Sequence, residues 1–120
     1  MAEENTNTNI AAVLKEFYES AEENFRKNRF TAAAEHYAKA IFLMIDEYLK
    51  KKYGITVKDD HERKTILLSK SSEDEKCKKL LEILKICEKV YNEETYIRHL
   101  TKEEALALKT LAEDVRKLIE

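Results

Sequence analysis

Three histidines, His36, His61 and His99, are the side chains that could carry protons near neutral pH. They stand far apart, and no His or Cys pair has the spacing of zinc ligands. The lone glycine leaves no glycine-rich phosphate loop, and no nucleophile elbow is present. Neither a metal nor a cofactor is therefore expected. His61 follows Asp59 and Asp60 and has two readings: a polar site residue, or a helix-start histidine bonded to local backbone. Arg98 and His99 are adjacent, so on a helix they would diverge, and surface placement is the simpler reading. Lys50, Lys51, Lys52, Lys58, Arg63 and Lys64 could gather near one end of a helix and hold phosphates. Against that, Asp59 and Asp60 sit among them, and charge runs commonly form solvated faces.

Any such site has to be positioned by helices, and one helix dominates. From Arg29 to Gly54 the chain reads RFTAAAEHYAKAIFLMIDEYLKKKYG. Ala34, Tyr37, Ala38, Ile41, Ile45, Tyr48 and Leu49 recur at steps of three and four, one helical face. Ala33, Ala40 and Met44 widen that face, as for a helix with neighbours on several sides. Glu35, Lys39, Asp46 and Lys50 form a thin solvated line opposite, with acids four residues ahead of lysines at 35/39, 46/50 and 47/51. Thr31 can cap the start; Gly54, after Lys50–Lys52, can take the left-handed conformation that ends helices. Phe42 and Leu43 project beside the polar line. They pack either on another helix of the chain or on a second subunit.

The class follows from composition. Proline is absent, 38% of residues are charged and strand-like alternation is hard to find, which leaves an all-α fold. The length is that of one domain. A net charge of −2 gives no global attraction to nucleic acid or membrane, so a basic site must be local. The N-terminal MAEENTNTN lacks the pattern of a signal peptide, and no apolar run is long enough to span a bilayer. A cytoplasmic protein is expected, with Cys77 and Cys87 as reduced core residues, too far apart along one helix for a disulfide.

In chain order, residues 1–9 are expected to be a disordered arm and 10–120 a single domain. A first amphipathic helix from Ile10 ends near Asn28 and pairs antiparallel with the central helix. Asp59 or Asp60 caps a short third helix ending near Ser69, with Ile66 and Leu67 inward. Ser72 and Glu75 form a capping box ahead of a fourth helix with Cys77, Leu80, Leu81, Leu84, Cys87 and Tyr91 on one face. Ile83, Ile86 and Val90 give that helix a second apolar face. Thr101 and Glu104 form another capping box, opening a last helix that buries Ala105, Leu108, Leu111, Ala112, Val115 and Leu118. The expectation is an antiparallel up-down bundle of about five helices, four long and one short.

The helix RFTAAAEHYAKAIFLMIDEYL ending in KKKYG, the histidine in DDHERKTILL and the closing segment YNEETYIRHLTKEEALALKTLAEDVRKLIE together resemble the HEPN superfamily of small helical domains. The resemblance runs from about residue 10 to the end and lies in order, spacing and helix lengths. It implies a homodimer, which would give Phe42 and Leu43 a purpose at the interface. It also implies RNA or nucleotide as a ligand class, with many members acting as RNase toxins alongside a nucleotidyltransferase antitoxin. The superfamily's RNase signature, an arginine followed one to two turns later by a histidine near the last helix, is not matched. Arg98 directly abuts His99, and Arg29 and His36 have a suitable spacing at the wrong helix.

The expected function is thus a non-catalytic HEPN-like module binding a nucleotide, RNA or a protein partner, with Lys51, Lys52, Arg63 and Lys64 as ligand candidates. The alternative is a metal-independent RNase built from a displaced set among Arg29, His36, His61, Arg98 and His99. AEENFRKNRFTAAAEHYAKAI also resembles part of a tetratricopeptide repeat, which implies a helical adaptor. Such repeats need several copies to bury their faces, and no second copy occurs here.

Overall fold

Helix α1 (Ala2–Arg26) runs into α2 (Phe30–Tyr53) as an antiparallel hairpin, and α3 (Asp60–Lys70) pairs with α4 (Glu75–Val90) as a second. Helix α5 (Lys102–Ile119) packs on α2 and α4. The computed structural model describes residues 2–91 and 99–120, with side chains from residue 10 onward. Among the described residues there is no strand, so the all-α bundle stands. Helix α1 takes in most of the stretch 1–9 expected to be an arm; neither glycine nor proline interrupts it there.

Helix α2 is the hub. Every residue from Phe30 to Lys50 is buried or partly buried, and Tyr37, Ile41, Ile45 and Leu49 are closed off completely. It packs α1 on one side and α5 on the other, and touches α4 more lightly. Ala33, Ala34, Ala38 and Ala40, all fully buried, let neighbouring helix backbones approach. The solvated line expected along α2 is interrupted. Glu35–Lys39 and Glu47–Lys51 form as spaced, at 3.3 and 2.7 Å. Asp46 does not take Lys50; its partner is Arg63 of α3.

The α1–α2 turn uses Asn28 at φ 61°, a left-handed conformation that asparagine tolerates better than most residues. Phe25 and Phe30 meet edge to face across it, 5.5 Å between centroids. This reversal makes Arg29 the N-cap of α2, without a side-chain hydrogen bond. Thr31 therefore does not cap the helix. Its Oγ1 instead accepts the Leu100 amide at 2.8 Å and ties the approach to α5 to the start of α2. That contact, with Met44 and Ile119 lining one cleft at the other end, shows α2 and α5 running in parallel. Gly54 closes α2 at φ 69° as expected, its amide donating to the Lys50 carbonyl at 2.9 Å.

Two helix starts follow the sequence and one departs from it. Asp59 caps α3 by accepting from the Glu62 amide, and Thr101 with Glu104 forms the full capping box of α5. Ser72 and Glu75 form no box. Asp74 caps α4, accepting from the Lys76 and Cys77 amides. A carboxylate is the stronger acceptor, and Ser71, Glu73 and Asp74 are still bonded back to Leu68 and Lys70 at the end of α3. In α4, Cys77, Leu80, Leu81, Leu84 and Cys87 are buried as expected, whereas Ile86 of the second apolar face is 47% exposed.

Candidate functional site

The four expected ligand cations are each paired with a carboxylate of the chain. Lys51 pairs with Glu47 at 2.7 Å and Lys64 with Glu88 at 2.8 Å. Arg63 is buried beneath the surface of α3. Its Nε and Nη2 donate to the two oxygens of Asp46 at 2.6 and 2.8 Å, and Nη1 donates to Asp60 at 2.6 Å. Its guanidinium lies 4.8 Å from the Phe42 ring centroid, which gives Phe42 a partner within the chain. Leu43 is half-buried on α2.

Lys52 belongs to a polar junction between the end of α2 and the start of α4. Oδ2 of Asp74 accepts from Tyr48 at 2.8 Å, Lys52 at 2.8 Å and Tyr53 at 2.7 Å, with the Cys77 thiol at 3.4 Å. Burial alone would raise the Asp74 pKa. The hydrogen bonds from Lys52, Tyr53, Tyr48 and Cys77 outweigh it and hold the carboxyl well below the usual range. The same bonds act in reverse on the donors. The Tyr53 hydroxyl is pushed up to about 12 by its bond to Asp74. The Cys77 thiol is pushed up to about 11 by burial and then by Asp74. Cys87 rises to about 12, mainly through burial. Both thiols are buried, free and protonated at neutral pH, so neither is a nucleophile.

The proton-transfer candidates scatter. His36 is held inside the α1–α2 hairpin, Nδ1 hydrogen-bonded to the Ser20 hydroxyl at 2.8 Å, with Phe17 packed on the ring. His61 is exposed on the first turn of α3, near the far end of α2 from Arg29. His99 and Arg29 are both exposed, and the Thr31–Leu100 bond brings their segments to one end of the bundle. Arg98 lies outside the described residues. Among the described residues no three His, Cys, Asp or Glu side chains gather as a metal cage. No described helix is long and apolar enough to cross a membrane.

What sequence reasoning missed is on α4. Its five lysines, Lys76, Lys78, Lys79, Lys85 and Lys89, are all exposed, and none has a carboxylate partner among the described residues. Lys78, Lys85 and Lys89 fall seven and four residues apart, on one face, with Lys79 and the exposed Ile86 beside them. Glu88 is drawn away to Lys64, which leaves Glu75 and Glu82 as the acids exposed on this helix. A locally positive surface therefore exists on a chain of net charge −2. Its signal was present as an excess of lysine over glutamate in EKCKKLLEILKICEKV, visible once the buried face is subtracted. Compared with protein-family models, with curated proteins and with solved structures, the chain has no significant match in any of the three.

Proposed function

We propose that this chain is a non-catalytic helical module that binds RNA through the solvent face of α4. The carrying observation is the set of exposed lysines there without an ion pair among the described residues, in a chain whose four expected ligand cations, Lys51, Lys52, Arg63 and Lys64, are bound to carboxylates. From Lys78 to Lys89 the face extends ~16 Å at 1.5 Å per residue, enough to follow several phosphates of a strand. Exposed Ile86 offers an apolar contact for a base or ribose between those lysines. The resemblance to HEPN domains supports the same ligand class. A homodimer and a nucleotidyltransferase partner belong to the same proposal, and native mass spectrometry of the purified protein reads both. The direct test is fluorescence anisotropy of labelled single-stranded RNA at rising salt. Saturable binding that weakens with salt supports the reading, and no binding at low salt overturns it.

A second reading has one observation in its favour: Arg29 and His99 share one end of the bundle through the Thr31–Leu100 bond. An RNase using them would cleave RNA without added metal, and would lose that cleavage in His99→Ala. Intact RNA after prolonged incubation with the wild-type protein removes this reading.

A further inference from the structure

A cleft of about 450 Å³ lies between α1, the second half of α2 and the C-terminal end of α5. That is within the ~300–1,000 Å³ typical of small-molecule sites. Leu14, Met44 and Ile119 give it an apolar lining, with Ala11 at the edge. Tyr18, Arg116 and Glu120 also line a neighbouring cleft of about 380 Å³, which adds the charged side chains of Glu113 and Lys117. The two together have an apolar end and a charged end.

The charged end is loosely held. Among the described residues the carboxylate that Arg116 meets is Glu120 on its own helix, at 3.4 Å, with both side chains more than half exposed at 62% and 67%. Its guanidinium also lies over the Tyr18 ring at 5.8 Å, which fixes its position at the junction of the two clefts. Lys117 has no carboxylate partner among the described residues. On the opposite wall, Lys15 meets Glu19 at 3.9 Å, again an exposed pair on one helix. Exposed pairs of this kind hold ~0.2–1 kcal/mol each, so an incoming anion can displace them. Glu47 of the apolar cleft is already neutralised by Lys51 at 2.7 Å.

We propose that this cleft binds a small anionic amphiphile, its single apolar chain on Leu14, Met44 and Ile119 and its carboxylate between Arg116 and Lys117. Glu113 and Glu120 at the same end select a singly charged head over a phosphate monoester, which carries close to two charges. The site is separate from the lysine face of α4 and does not depend on the RNA reading.

Isothermal titration with decanoate, decylammonium and decyl phosphate, each below its micelle-forming concentration, tests this on the full chain. One saturable decanoate site is expected, at least about tenfold tighter than either other probe. Arg116→Gln with Lys117→Gln should weaken decanoate about tenfold while leaving the thermal transition in place. Ala11→Phe, at an exposed position, should abolish binding by filling the cleft without disturbing the fold. Absence of a saturable decanoate site, equal affinity for decylammonium, or undiminished binding by Ala11→Phe with native circular dichroism would each overturn the proposal.

Discussion

The end of α2 and the outer face of α4 are both rich in cations, and they use them in opposite ways. Around the end of α2 three basic side chains turn inward or along the surface to acids: Arg63 to Asp46 and Asp60, Lys52 to Asp74, Lys51 to Glu47. On α4 five lysines face water with no ion pair among the described residues, and only Glu75 and Glu82 are acids exposed on the same helix. Residue type alone does not distinguish a structural cation from an available one. Geometry does, because a cation whose charge is already satisfied must break an internal bond before it can bind a ligand.

The largest effect expected from this contrast is at Arg63. Replacing it by Ala leaves partly buried Asp46 without its cation and uncovers Phe42, a loss of about 3 kcal/mol in stability. Arg63→Lys should recover only part of this, since one ammonium cannot reproduce three guanidinium bonds. Urea denaturation reads both variants. A change under about 0.5 kcal/mol, the range of ordinary surface sites, would place Arg63 with the α4 lysines and dissolve the contrast.

Asp74→Asn comes next, at about 2 kcal/mol, because it removes the charge on which Tyr48, Lys52 and Tyr53 converge, while the asparagine oxygen can still cap the helix. It also carries a pH signature. The folded-state pKa of Asp74 is depressed, so its contribution is full above the unfolded value of ~3.9 and is lost as pH falls from there toward the folded value. Denaturation midpoints between pH 6 and pH 2 should fall more steeply for the wild type than for Asp74→Asn. Parallel curves would mean that the junction contributes no charge-dependent stability.

How much of this was legible beforehand differs by level. The helices were written in periodicity, and Gly54, Asp59 and the Thr101–Glu104 box carried their ends, because those signals are local. Thr31 and Ser72 were misread because a competing partner decided each: the Leu100 amide for one, a stronger neighbouring acceptor for the other. Asp46 illustrates the same limit. Four residues before Lys50 it reads as half of a helix-surface pair, yet a guanidinium seventeen residues away holds it more tightly. The cations of the basic patch are paired within the chain for that reason, while the α4 lysines went unremarked because a lysine-rich helix face is ordinarily unremarkable. Only the positions of the acids separate the two.

A smaller effect on stability, but a large one on binding, is expected on α4. Lys78→Gln, Lys85→Gln and Lys89→Gln together should shift stability by less than about 0.5 kcal/mol. Each phosphate contact removed should lower the salt slope of RNA binding by ~0.7, so the three together should lower it by ~2. Anisotropy at several salt concentrations measures the slope. An unchanged slope would show that these lysines are only a solvated face.

The smallest effect tests the contrast from the other side. Lys51 is exposed and lies in the patch that the sequence offered as a ligand candidate, but it is bonded to Glu47 in the preceding turn. Lys51→Gln should cost about 0.3 kcal/mol, the worth of a helix-surface pair, and should leave RNA affinity and its salt slope where they were. The same anisotropy titration used for the α4 variant decides the matter. If Lys51→Gln weakens RNA binding as much as one α4 lysine does, pairing is no barrier to ligand contact here, and the RNA surface extends across the end of α2.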